Sequence, residues 1–254
     1  MAEWTSLIDM GNTRLKWVWA RDGRIDESSF GRSGRDDFMN QCKLPTGARP
    51  GYVLVSSVAS SENTSDIIAA CEDQWGVPVK RLESRASQAG IVNAYESPEM
   101  LGVDRWLAIV GAAHSHGMPV VIMDLGTATT LDAVDEQGRH LGGLILPGPD
   151  LMLESLASAT VMQVPADFGN EEAMPSKNAG PGVGPAAFTS SAIREGVFAA
   201  QVGALNQFLR HVSAMLTCEP KLVLTGGAAE GIIDRLENDP VFDPWLVFKG
   251  MLHE

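Results

Sequence analysis

The chain has 254 residues, 44% hydrophobic and 20% charged, the composition of an ordinary globular protein with one large domain or two of usual size. A formal net charge of −13, from 19 basic against 32 acidic residues, argues against nucleic acid as the main partner, because phosphate backbones need Lys and Arg arrays. No apolar run approaches the ~20 residues that span a bilayer, no basic-then-apolar signal opens the chain, and Cys42, Cys71 and Cys218 lack metal spacing, so the reading is a cytoplasmic protein, off the membrane, with buried or reduced thiols.

In chain order, Trp4 to Met10 reads as a first strand and Leu15 to Ala20 as its hairpin partner. Residues 31–50 are polar and broken by Pro and Gly, with a short helix around 36–42. Tyr52 to Ser56 is a buried-type strand ending in a Ser-Ser turn. Thr64 or Ser65 then caps a helix whose Ile67, Ile68, Cys71 and Trp75 face a core, and Gly76-Val77-Pro78 stops it before a short strand from Val79 to Leu82. A loop from Tyr95 feeds a helix that runs to about Ala113 with one apolar stripe.

From Val120 an apolar run ends on Asp124, followed by a Gly126-Thr127 turn, a β-rich segment, a turn at Gln137-Gly138 and a further segment ending in Gly142-Gly143. A helix spans Asp150 to Ala159. Residues 163–188 hold so many Pro and Gly that they form either a functional loop or a partly disordered one. A long helix covers Ser190 to Leu216, a strand Lys221 to Thr225 runs into Gly226-Gly227, a short helix starts at Ala228, and Trp245 to Lys249 reads as the last strand. Strands alternate with helices, so the class is α/β.

The chain contains one pattern twice. A shift of 115 positions places Asp9 on Asp124, Gly11 on Gly126, Gly23 on Gly138 and Arg24 on Arg139. Two duplicated halves follow, 1–115 and 116–254.

Apolar strand, carboxylate and Gly turn can present an acid and backbone N–H groups to a phosphate and its metal. Asp9 and Asp124 also suit plain Asx-type turns; their matched register favours function. Asn12, Thr13 and Lys16 add polar groups after Asp9, Thr127 to Thr130 repeat the hydroxyl theme, and Thr225-Gly226-Gly227 is a third strand-end turn. Asp104, at the start of a helix, is either a first-turn acid favoured by the helix dipole or a general base for a substrate hydroxyl. The residues alone leave both open. The scattered histidines give only a weak metal signal, and there is no Walker A, Gly-x-Gly-x-x-Gly or Gly-x-Ser-x-Gly motif.

Asp9-Met-Gly-Asn-Thr-Arg-Leu-Lys16, the segment Tyr95 to Trp106 with its Leu-Gly-Val-Asp-Arg-Trp run, Asp124-Leu-Gly-Thr-Ala128, Gly142 to Gly148, Thr225-Gly-Gly227 and Leu246 to Gly250 together resemble type III pantothenate kinase. The resemblance implies two RNase H-like, actin-like ATPase halves around a nucleotide cleft. It also implies phosphorylation of pantothenate to 4′-phosphopantothenate by a homodimer using ATP, Mg²⁺ and a monovalent cation, K⁺ or NH₄⁺. Carried over, Asp9, Met10, Gly11, Asn12, Thr13, Arg14, Leu15 and Lys16 form the first phosphate loop, with Asp9 an indirect Mg²⁺ ligand. Asp104 is the proton acceptor. Tyr95, Gly102, Val103 and Arg105 contact pantothenate, and Asp124 holds the monovalent cation. Thr127, Thr225, Gly226 and Gly227 contact the nucleotide, and Thr189 reaches pantothenate from the partner subunit, although Phe188 stands where the family has Asn. The rival readings are a regulatory protein on the same scaffold, like Bvg accessory factor, and a superfamily kinase for another small hydroxyl substrate.

Overall fold

The computed structural model describes residues 4–12, 14–43, 50–159 and 183–254. It divides into two units, one comprising Met1–Ser115 with Trp245–Glu254, the other His116–Pro244. The last segment therefore joins the first unit, whereas the sequence reading placed it in the second.

In the first unit β1 (Trp4–Met10), β2 (Leu15–Arg21), β3 (Arg24–Ser33), β4 (Pro50–Ser57) and β5 (Val79–Arg81) form a sheet in the order β3-β2-β1-β4-β5, with α1 (Phe38–Gln41) after β3 and α2 (Ser61–Trp75) between β4 and β5. A small hairpin, β6 (Ser87–Gln88) and β7 (Ile91–Val92), and a single 3-10 turn at Pro98–Met100 lead into α3 (Val103–His116). In the second unit β8 (Val120–Leu125), β9 (Ala128–Val134) and β10 (His140–Pro147) precede α4 (Pro149–Ala159) and α5 (Thr189–Ser213); β11 (Lys221–Thr225), α6 (Glu230–Ile233) and β12 (Val241–Phe242) follow. Its sheet order is β10-β9-β8-β11-β12. The chain then returns to the first unit as α7 (Leu246–Met251).

The two sheets have one topology. β1 and β8 each pair antiparallel with the next strand in sequence and parallel with β4 or β11. Both hairpin turns use a left-handed glycine, Gly23 at φ 71° and Gly138 at φ 79°, a conformation that glycine adopts without steric cost. The duplicated sequence pattern is thus a duplicated sheet.

Each central strand is apolar on both sides because both sheet faces are covered. Ile8 and Met10 pack with Trp17, Trp19, Val55 and the Ile67, Cys71 and Trp75 stripe of α2. Leu7 and Val18 face Val103 and Leu107 of α3 and Phe248 and Met251 of α7. In the second unit Val121, Met123 and Leu125 meet Leu153 of α4 and Ile193, Val197 and Phe198 of α5. Burial pushes the Cys42 thiol far above its usual range and that of Cys71 up to about 12, so both are unreactive. Cys218 is a free exposed thiol.

Several elements differ from the sequence reading, which assigned no strand at β6, β7 or β12. Residues 24–33, unassigned or read as loop, form β3, an edge strand whose mixed burial leaves little apolar pattern. Helix α2 starts earlier than expected: Ser60 is its cap and accepts from Asn63 N at 3.3 Å, while Thr64 lies buried inside the helix. Residues 246–251 are helix α7, not a strand; a short apolar run does not distinguish the two by period.

Packing decides for the helix. A Cβ on Gly111 of α3 would stand 2.1 Å from Leu246 O, and one on Gly250 of α7 would stand 2.0 Å from Leu107 O, so the two helices cross backbone against backbone. Gly111→Ala gains about 1 kcal/mol of helix propensity, but the clash with a main-chain carbonyl outweighs it. We expect a net loss of about 1–3 kcal/mol, seen as a Tm lower by about 3–10 °C in calorimetry. An unchanged Tm would mean that this crossing is loose.

Candidate active site

Asp9 sits half-buried near the end of β1, between the fully buried Ile8 and Met10. It faces Lys16 on β2 and Ser56 on β4 in the sheet register, and Ser56 Oγ donates to Asp9 Oδ1 at 3.2 Å. The turn that follows closes with Gly11 N donating to Arg14 O at 3.0 Å. Asn12, Arg14 and Lys16 are exposed. Met10 and Leu15 are core residues, so they can offer a ligand only main-chain groups. Thr13 lies outside the described residues.

The same unit holds the segment around Asp104. Val58 N donates to Met10 O at 3.1 Å, and the Val58 side chain lies against Gly102, which links the Asp9 turn to the start of α3. Asp104 stands in the first turn of that helix, where the dipole favours a carboxylate, and its Oδ1 accepts from Arg105 N at 2.7 Å. A Cβ on Gly102 would lie 2.7 Å from this same oxygen, so glycine gives the carboxylate its room. Arg105 is buried, and its Nη1 donates to Tyr95 OH at 3.1 Å. Val103 is buried in the core. Tyr95, Gly102, Asp104 and Arg105 are therefore gathered at one helix N-terminus.

In the second unit three strand ends converge. Asp124 is paired in register with Thr225 of β11 and Thr130 of β9. Gly226, at φ 94°, lies so close that a Cβ there would meet Asp124 Oδ1 and the Leu125 main chain at 2.5 Å. Ala228 N donates to Leu125 O at 3.1 Å, and Gly148 N to Thr127 O at 3.0 Å. A Cβ on Gly148 would fall 2.2 Å from Gly126 O. Thr127 and Gly227 stay exposed beside this glycine cradle, while Thr225 is buried. Thr189 is the exposed first residue of α5, behind an exposed Phe188.

Sequence reading assigned no role to Ser56 or Gly148. Ser56 is visible in sequence only as a hydroxyl closing an apolar strand, and Gly148 as the end of the Gly142 to Gly148 segment, with no role of its own. Among the described residues no three His, Cys, Asp or Glu side chains gather as a metal cage. Single carboxylates at Gly turns fit Mg²⁺, which keeps its waters and binds through one or two carboxylates plus substrate phosphates.

Solved structures share the fold. A Baf family transcriptional activator from Campylobacter jejuni matches with a TM-score of 0.58 at 18% identity, covering 97% of this chain and 94% of that one. The activator of 2-hydroxyisocaproyl-CoA dehydratase from Clostridium difficile, with bound ADPNP, matches at 0.55 and 14%, covering 98% and 92%. With two five-stranded α/β units of one topology, the protein has the actin-like ATPase fold.

The family model described as type III pantothenate kinase matches residues 7–211. The type III pantothenate kinase of Laribacter hongkongensis is 34% identical over 249 residues, 97% of this chain and 96% of that protein. That of Halorhodospira halophila is 31% identical over 257 residues, 97% and 96%. The chain belongs to the type III pantothenate kinase family.

Proposed function

We propose that this kinase transfers the γ-phosphoryl group of ATP to the primary hydroxyl of pantothenate, giving 4′-phosphopantothenate in the first step of coenzyme A synthesis. The observation that carries the reading is the cluster at the start of α3, where Asp104 stands beside the buried Arg105–Tyr95 pair. A carboxylate accepts the hydroxyl proton as the oxygen attacks, and an Arg with a phenol can orient a small polar acid. Tyr95, Gly102 and Arg105 hold pantothenate, and Val103, packed in the core, offers it only main-chain groups.

Phosphoryl transfer otherwise needs positioning and charge neutralisation. Asp9, steadied by Ser56, orients the phosphates with the main chain from Met10 to Leu15 and the exposed Asn12, Arg14 and Lys16. Mg²⁺ would neutralise phosphate charge when bound, and Asp9 would hold it indirectly. Thr127, Thr225, Gly226 and Gly227 serve the nucleotide. Asp124 holds K⁺ or NH₄⁺, a role that suits one carboxylate in a turn whose main chain is pressed tight by Gly226 and Gly148.

A homodimer is part of the proposal, with Thr189 reaching the partner's pantothenate. Its support is apolar exposure in the second unit: Leu144 and Ile145 on the edge strand, Leu151, Phe188, and a groove of about 440 Å³ between α4 and α5. No helix among the described residues is long and apolar enough to cross a membrane, and we place the enzyme in the cytoplasm.

The test is ADP release by purified protein with Mg²⁺ and ATP, with and without pantothenate, in K⁺, NH₄⁺ and Na⁺. Release that depends on pantothenate and rises with K⁺ or NH₄⁺ is expected. Absence of pantothenate dependence under every cation would favour the regulatory reading. Asp9→Asn is expected to raise the KM for Mg·ATP about ten- to a hundredfold while moving the KM for pantothenate less than threefold, through loss of a charged contact. Equal rises for both substrates would remove Asp9 from the phosphate loop.

A further inference from the structure

Asn93 is buried, and every polar group of its side chain is used within one loop. Its Nδ2 donates to Arg85 O at 3.1 Å and to Pro98 O at 3.4 Å, and its Oδ1 accepts from Tyr95 N at 3.0 Å. Its main-chain N donates to Ala86 O at 2.9 Å. One amide thus joins the strand-like stretch before the loop, the residue Tyr95 within it and the 3-10 turn that closes it. The turn continues the connection: Leu101 N donates to Pro98 O at 3.2 Å and Leu101 O accepts from Ser84 Oγ at 2.7 Å, just before Gly102. Tyr95, held by its main chain to Asn93, accepts from Arg105 at its hydroxyl.

We infer that Asn93 is a positioning residue for the acceptor substrate: it sets Tyr95, and through Tyr95 the Arg105 guanidinium, in the place that recognises a small carboxylate-bearing alcohol. The inference rests on the pantothenate reading of Tyr95 and Arg105. Both halves of the amide are required. A carboxylate of the same size keeps the acceptor for Tyr95 N but has no donor for the two carbonyls and sets a negative charge against them. The bonds of the Asn93 side chain go to Arg85, Tyr95 and Pro98 and not to the Asp9 turn, so the effect is expected mainly on one substrate.

The chain has two tyrosines, Tyr52 and Tyr95, so 3-fluorotyrosine labelling gives two ¹⁹F signals, assigned with Tyr52→Phe. In ligand-free Asn93→Asp the Tyr95 signal is expected to shift or broaden while the Tyr52 signal stays. The KM for pantothenate should rise tenfold or more, with the KM for ATP within twofold and kcat within threefold. Asn93→Ser, which keeps the acceptor for Tyr95 N and loses the paired donors, should give a smaller change in the same direction and covers the case in which Asn93→Asp does not fold. A Tyr95 signal unmoved in either folded variant, or parallel rises in both KM values, overturns the inference. A wild-type Tyr95 signal that ignores pantothenate overturns the substrate reading instead, and the two failures are told apart by that titration.

Discussion

Asp104→Asn is expected to slow phosphoryl transfer about 10²–10⁴-fold while pantothenate affinity, measured by calorimetry, stays within about threefold. Asparagine keeps the size of the side chain and an oxygen that can accept from Arg105 N, the 2.7 Å bond that Asp104 makes at the start of α3. Gly102 leaves the same room for either group. The variant therefore folds and binds, and what it loses is the capacity to take a proton. If Asp104 were only a first-turn acid, its replacement would cost roughly 0.3–1 kcal/mol of helix stability and turnover would be near normal. The two readings that the sequence leaves open for this residue thus differ by orders of magnitude in kcat.

Gly226→Ala is expected to disable the second strand-end site. The added methyl would lie 2.5 Å from both Asp124 Oδ1 and the Leu125 main chain, and φ 94° is a conformation that alanine avoids. The carboxylate end of Asp124 can swing away, but the Leu125 carbonyl belongs to the central strand of the sheet and accepts from Ala228 N. Strain and overpacking together amount to about 2–4 kcal/mol. We expect a Tm lower by about 4–16 °C, and a tenfold or greater rise in the KM for ATP in the surviving folded protein at low temperature. An unaltered KM for ATP would take the Thr225–Gly227 turn out of the nucleotide site.

Where backbone conformation demanded glycine, the architecture was readable. Gly23 and Gly138 occupy left-handed turns at matching points of the two hairpins, and the spacing of Asp9, Gly11 and Gly23 against Asp124, Gly126 and Gly138 carries the duplication in the sequence itself. Elements decided by tertiary packing were not readable. α7 carries a run that suits a strand equally well, and only its backbone contact with Gly111 on α3 makes it a helix of the first unit. β3 sits at a sheet edge with mixed burial and so left no alternation to read.

The site divides along the same line. Asp9, Asp104 and Asp124 could each be named from local pattern, with bland and functional readings side by side. Ser56 bonds Asp9 from 47 positions away, and a contact of that range has no trace in local sequence. Arg105, a residue type that is almost never fully buried unless paired, is buried with its guanidinium on the Tyr95 hydroxyl, ten positions earlier. Sequence reading gave Asn93 no role; its three-way role exists only once the loop has closed.

The most direct test of the account is ³¹P NMR of the wild-type protein incubated with Mg·ATP, K⁺ and pantothenate, run beside the Asp104→Asn variant. The account predicts one new phosphomonoester signal, coupled to the protons of the primary carbinol, growing with wild type and about 10²–10⁴-fold more slowly with the variant. No phosphomonoester from a folded wild-type protein, or equal initial rates from both, would contradict it.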